Sequence, residues 1–136
     1  RKIEIMKKLV LMFSVLLLSI VALNAQEVQK QTKGAAISAP EEQFDFGTIK
    51  EADGPVTHAF TLKNVGNAPL VITRASASCG CTKPKFSTEP IAPGKSTKIE
   101  VTYNPAGRPG QFVKTVAVYS NGKEGAFILR IKGVVE

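Results

Sequence analysis

Period-two alternation over most of residues 43–135 is the strongest constraint on how this chain folds. In "QFDFGTI" Phe44 and Phe46 share one face. In "VTHAFTLKN" His58, Phe60 and Leu62 alternate with Thr57, Ala59, Thr61 and Lys63. "PLVITRASA" is rich in β-branched residues, and "STKIEVTYN" sets Ile99, Val101 and Tyr103 on one side. "GQFVKTVAVYSN" carries Phe112, Val116 and Val118 at even positions. "GAFILRIKGVV" opposes Phe127, Leu129 and Ile131 to Arg130 and Lys132. Alternation of this kind marks strands with one buried face.

Turn chemistry separates the segments: "EADGP", "NVGNAP", "EPIAPGK", "NPAGRPG" and "SNGKEG", the last with the hairpin dipeptide Asn121-Gly122. About seven short strands within about 95 residues predict an all-β, immunoglobulin-like β-sandwich of antiparallel strands. The antibody hallmarks are missing. There is no Trp, and the two cysteines are too close in sequence to bridge two sheets.

The N-terminal part has a different character. From Met6, the expected translation start, Lys7 and Lys8 precede an apolar run broken only by Ser14 and Ser19 and ending in small residues near Ala25. This is the pattern of a secretory signal peptide, residues 1–25, with the cut expected after Ala25. The apolar run is shorter than the roughly 20 residues needed to span a bilayer, so no stable membrane insertion is expected after cleavage. An uncleaved anchor is the alternative. With no cysteine near the cut, a lipoprotein anchor is not expected. Residues 26–40, "QEVQKQTKGAAISAP", are polar and small and read as a flexible linker. The folded domain is expected over 41–136. Export implies the periplasm or the extracellular space, and oxidising conditions for Cys79 and Cys81.

The whole chain carries a formal charge of +7. Beyond Ala25, 14 Lys+Arg stand against 10 Asp+Glu, leaving +4. These charges are dispersed, which fits a solvated surface and argues against a nucleic-acid footprint.

Little in the chain looks catalytic. His58 is the single histidine, in mid-strand. Ser76, Ser78 and Ser87 lack a sequence context for activation. Asp45, Asp53, Glu41 and Glu42 do not have calcium-loop spacing. No cofactor is expected.

The remaining chemistry is "SCGCT". In an extended strand, positions 79 and 81 would hold their Cα atoms about 6.4–6.8 Å apart, at the upper limit for a disulfide, which also wants Cβ atoms about 3.5–4.5 Å apart, so an untwisted strand closes it poorly. Gly80 permits a bend that would allow closure. A ring with one intervening residue removes little unfolded-chain entropy, so the pair is a poor staple. Three readings stay open. Cys79 and Cys81 are a closed local disulfide, or a redox-active pair tuned by Lys83 and Lys85, or, with His58, part of a metal site. Three ligands fall short of the four zinc wants. Cu(I) suits thiolates better, and a site shared between two chains is a further alternative.

The motifs "FDFGTI", "F-x-L-x-N-x-G-x-x-P-L-x-I", "SCGCT", "I-x-P-G", "Y-x-P" and "G-x-F-x-K", spread over about Phe44 to Glu136, together resemble the bacterial family called domain of unknown function 1573. The asparagine-glycine-proline motif alone would point only to the wider group of immunoglobulin-like domains related to major sperm protein and Hydin-type modules. The resemblance implies an exported immunoglobulin-like domain and little about activity. Asn64, Gly66, Asn67 and Pro69 then read as residues that shape a turn. The expected role is non-enzymatic: binding another envelope or secreted protein, through loops or an exposed strand edge, or a structural part of the envelope. The alternative is a redox or copper- or zinc-handling protein acting through the cysteine pair.

Overall fold

The computed structural model describes residues 1–21 and 33–136. The chain divides into two units, Arg1–Lys30 and Gln31–Glu136. The first contains one helix, α1 (Lys2–Val21), so the run read as a leader is helical as far as it is described. Among the described residues no helix is long and apolar enough to cross a membrane. The expected cut after Ala25, and the linker up to Thr32, lie outside the described residues.

The second unit is a β-sandwich. Its strands are β1 (Ile37–Ser38), β2 (Gln43–Ile49), β3 (Val56–Asn64), β4 (Ile72–Ala77), β5 (Thr82–Lys85), β6 (Ser96–Tyr103), β7 (Gly110–Ser120) and β8 (Ala126–Val135). One sheet has the order β1-β3-β6-β5, the other β2-β8-β7-β4. The all-β, immunoglobulin-like expectation is met, with eight strands among the described residues. Pairing is antiparallel throughout except between β2 and β8, which run parallel.

The core lies between the sheets, where the alternation predicts it. Phe60, Leu62, Ile99, Val101 and Tyr103 from one sheet meet Val116, Val118, Leu129 and Ile131 from the other, all buried. Tyr103 stacks on Phe112 with ring centroids 3.9 Å apart. Burying aliphatic and aromatic side chains of this size stabilises by roughly 1.5–3 kcal/mol each.

Two features depart from the sequence reading. The sandwich begins before Glu41, because Ala35, Ala36 and Ile37 are buried and β1 pairs with the end of β3. Their segment is gripped from several sides. Val65 N–H donates to the Ala36 carbonyl (2.9 Å), Asn67 N–H to that of Gly34 (2.9 Å) and Lys123 N–H to that of Ala35 (3.2 Å). Gly34 N–H donates to Asn67 Oδ1 (2.7 Å), and Ile37 N–H to Glu124 Oε1 (3.2 Å). Pro40, which has no N–H to extend the β1 ladder, stands where the chain leaves one sheet for β2 in the other. Secondly, Asn121-Gly122 does not make a two-residue hairpin. The connection runs over 121–125, and the Asn121 amide bonds Val71 N–H (2.8 Å) and the Pro69 carbonyl (3.0 Å).

A bulge in β2 falls between Asp45 and Thr48. Gly47 takes φ 67°, a left-handed conformation that suits glycine, and its N–H is held by Asp45 Oδ1 at 2.8 Å. Opposite, a Cβ on Gly133 would lie 2.8 Å from Phe112 Cε1 and 2.9 Å from the Gly47 carbonyl oxygen. "FDFG" is therefore a bulge device fitted to a glycine in β8.

Candidate functional site

Cys79, Gly80 and Cys81 form the crossover between the sheets. β4 is the edge strand of one sheet and β5 the edge strand of the other, and only residues 78–81 separate them. Thr82 N–H donates to the Cys79 carbonyl at 3.3 Å, which closes a four-residue turn. The turn is pinned at both ends. Ser78 exchanges two bonds with Thr115, its N–H to the Thr115 carbonyl (2.9 Å) and its Oγ accepting Thr115 N–H (3.1 Å). Asn104 N–H donates to the Cys81 carbonyl at 2.8 Å.

Cys79 and Cys81 are joined as a disulfide, with Cα atoms 5.3 Å apart. The turn shortens that distance below its extended value, so a pair two residues apart can close. The role expected of Gly80 needs correcting. Gly80 does not take a positive φ, and a Cβ placed on it meets no atom within 4 Å. The bend comes from the turn and its anchors.

The two half-cystines have different surroundings. Cys79 is half-buried, and Cys81 is 4% exposed. Cys81 N–H donates to Cys79 Sγ at 3.1 Å. Cys81 Sγ lies 3.6 Å from the hydroxyl of Thr82, itself buried. Lys83 and Lys85, expected to tune the pair, are on exposed positions of β5, away from the buried Cys81 sulfur.

His58 is not brought to the cysteines. It pairs with Val101 of β6, whose other neighbour is Pro84 of β5. Its ring stacks on Phe44 (3.6 Å, 6°) and meets Phe60 edge-on. Nε2 lies 3.0 Å from Glu41 Oε1, and this buried nitrogen makes no hydrogen bond among the described residues. Among the described residues no group of three His, Cys, Asp or Glu side chains could hold a metal ion. The three-ligand set of Cys79, Cys81 and His58 is therefore not assembled. Ser78 and Ser87 accept backbone N–H groups, and Ser76 is exposed on β4.

The sequence reading missed a second feature, the outer face of the β2-β8-β7-β4 sheet. Pairing sets out its rows: Arg74, Tyr119 and Ala126; Ser76, Ala117 and Ile128; Thr115, Arg130 and Gln43; Val113, Lys132 and Asp45. Val113 is 59% and Ile128 45% exposed. The Arg74 guanidinium lies 4.2 Å from the Tyr119 ring centroid, and Asp45 is 3.8 Å from Lys132. The opposite outer face presents Thr57, Ala59, Lys63, Lys98, Glu100, Thr102, Lys83 and Lys85, with no large apolar side chain among these strand positions. The missed signal was in plain sight. Phe112-Val113 and Phe127-Ile128-Leu129 are consecutive apolar residues, and in a strand one of each neighbouring pair must point outward. A cleft of 290 Å³ beside the β2 bulge is at the small end of the range for ligand pockets, about 300–1,000 Å³.

Solved structures of similar shape carry the fold and little more. A protein of unknown function from Porphyromonas gingivalis W83 matches at 16% identity, TM-score 0.65, over 81% of this chain and 51% of its own. This chain thus spans about half the length of that protein. The ASH / PapD-like domain 7 of human CEP192 matches at 12% identity, TM-score 0.62, over 82% of this chain and 94% of its own. The secreted serine protease VesC of Vibrio cholerae matches at 20% identity, TM-score 0.56, over 83% of this chain but 24% of its own. No curated protein sequence matches the chain. The family described as "Protein of unknown function (DUF1573)" matches residues 37–135, from β1 to the end of β8. The chain belongs to the DUF1573 family.

Proposed function

We propose that this chain is an exported, non-enzymatic immunoglobulin-like module. It binds another envelope or secreted protein through the outer face of the β2-β8-β7-β4 sheet. The observation that carries the reading is the asymmetry of the two outer faces. One exposes Val113, Ile128 and Tyr119 among Arg74, Arg130 and Lys132; the other is threonine, lysine and glutamate. Exposed apolar and aromatic side chains ringed by charge are the composition of protein-binding surfaces. Three basic groups against the single acid Asp45 favour a partner surface that is acidic around an apolar centre. Export rests on Lys7, Lys8 and the apolar run that follows.

The test is native size. Protein recovered from the exporting cell should elute as a complex larger than its own mass. The Val113→Glu/Ile128→Glu double variant should elute as the free chain with an unchanged circular dichroism spectrum. A wild-type protein that elutes alone, or a variant still in the complex, contradicts the reading.

A second reading rests on the disulfide. A ring with one intervening residue contributes little stability, and it sits at a half-exposed crossover. It acts as a two-electron thiol–disulfide couple of the envelope. Copper or zinc handling is not carried forward, because His58 faces Phe44 and Glu41 and the sulfurs are bonded to one another.

A further inference from the structure

We propose that Cys79 is the sulfur attacked in thiol–disulfide exchange, and that Cys81 is the leaving sulfur, received by the Thr82 hydroxyl. This deepens the second reading above and rests on it.

Access sets the direction. Cys79 is half-buried on a turn whose next residue, Gly80, is exposed with open space around it. Cys81 is 4% exposed and packs in the core. An incoming thiolate must approach a disulfide in line with the S–S bond, and of the two residues Cys79 is the more exposed.

Thr82 supplies the second, independent observation. Its residue is 3% exposed, and its hydroxyl has one hydrogen-bond partner among the described residues, Cys81 Sγ at 3.6 Å. A hydroxyl removed from water usually bonds a good acceptor. A disulfide sulfur is a weak acceptor, whereas a thiolate is charged and a strong one. The bond is therefore strongest while charge develops on Cys81 Sγ, so the buried hydroxyl speeds the opening of the disulfide. On the other side, Cys81 N–H at 3.1 Å from Cys79 Sγ is placed to hold Cys79 when it leaves in turn.

The chemistry balances with a dithiol as reductant. Its thiolate attacks Cys79 Sγ and forms a mixed disulfide. The S–S bond breaks, and its electron pair leaves on Cys81 Sγ, which then takes a proton from water. The second thiol of the reductant, as thiolate, attacks its own sulfur in the mixed disulfide and expels Cys79 as thiolate, which likewise takes a proton from water. The reductant ends as a disulfide, and Cys79 and Cys81 as a dithiol, two electrons having moved.

The experiment uses the full chain with glutathione and dithiothreitol as probes. Brief reaction with glutathione, alkylation and peptide mapping should place glutathione on Cys79 and the alkyl group on Cys81. Thr82→Val, close in shape but without the hydroxyl, should slow opening by dithiothreitol about tenfold or more, the scale of a bond to a charged group. Thr82→Ser should restore the rate. Circular dichroism confirms that each variant is folded. Glutathione on Cys81, or Thr82→Val matching wild type in rate, overturns the assignment. A disulfide that excess dithiothreitol opens only when the protein unfolds overturns the second reading itself, a distinguishable result.

Discussion

Gly66 lies directly against Gly34: a Cβ added to Gly66 would overlap the Gly34 carbonyl oxygen and come within 2.8 Å of Ala36 N. The obstacle is backbone, so no side-chain rotation relieves it. Gly66 is the seat on which the N-terminal segment docks, and the glycine of "NVGNAP" serves a distant contact as well as a turn. Gly66→Ala should destabilise by about 1–3 kcal/mol, the usual cost of overpacking, and should expose residues 34–38 to limited proteolysis. Gly80→Ala is the matching control. With open space and no positive φ, it should shift the urea midpoint by the equivalent of about 0.5 kcal/mol or less. Equal effects of the two substitutions would contradict this account.

Asn64 is 0% exposed, and its amide is satisfied on both sides. Nδ2 donates to the carbonyls of Ala68 (2.8 Å) and Ile91 (2.9 Å). Oδ1 accepts Gly66 N–H (3.0 Å) and, more weakly, Ala36 N–H (3.5 Å). Truncation to Ala would strand several buried groups at about 1–3 kcal/mol each, moderated where the loop can relax. Asn64→Ala should therefore cost about 2–4 kcal/mol in urea unfolding, well above any surface substitution.

These two residues show where the sequence was readable and where it was not. Alternation located Phe60, Leu62, Ile99, Val101, Tyr103, Leu129 and Ile131, because one-sided burial writes period two into a strand. It could not locate β1, since Ile37–Ser38 is too short to have a period. The segment is held by Asn64, Gly66, Asn67, Lys123 and Glu124, residues 26 or more positions away. Parallel pairing of β2 with β8 leaves no local mark either, because both are built from the same alternating pattern. At the candidate site, the need for a bend at Cys79-Gly80-Cys81 followed from spacing alone. That the bend depends on Ser78, Thr82 and Asn104 more than on Gly80 required the tertiary hydrogen bonds. Val113 and Ile128 were legible as breaks in alternation, but only pairing shows that they share a face.

The disulfide closes too small a ring to hold the fold together. In the loop-entropy picture the three-residue ring is worth roughly 1.5 kcal/mol. The Cys79→Ser/Cys81→Ser double variant should remain folded, losing about that much in urea unfolding. A variant that fails to fold would make the pair a structural staple.

Tyr103 is buried against Phe112, and burial raises its phenol pKa above the ordinary value of 10.0, with the Arg108 charge opposing more weakly. In the unfolded chain the phenol ionises near pH 10 while the folded protein keeps its proton. The native state then binds more protons than the unfolded one, so stability falls as pH rises above about 10. Below that pH the contribution is fully present. Tyr103→Phe should flatten the decline between about pH 10 and the folded-state pKa in urea unfolding. A wild-type decline identical to that of the variant would show that Tyr103 is not its source.

The central claim is that one face of the sandwich is a protein-binding surface and the other is not. Site-specific photocrosslinking in the exporting cell compares them directly. A photoreactive residue replaces Ile128 on the outer β8 face in one strain and Ala59 on the outer β3 face in another. The account predicts one discrete, mass-identified protein adduct from position 128, lost when Val113→Glu is added, and none from position 59. Equal crosslinking from both positions, or none from position 128, contradicts it.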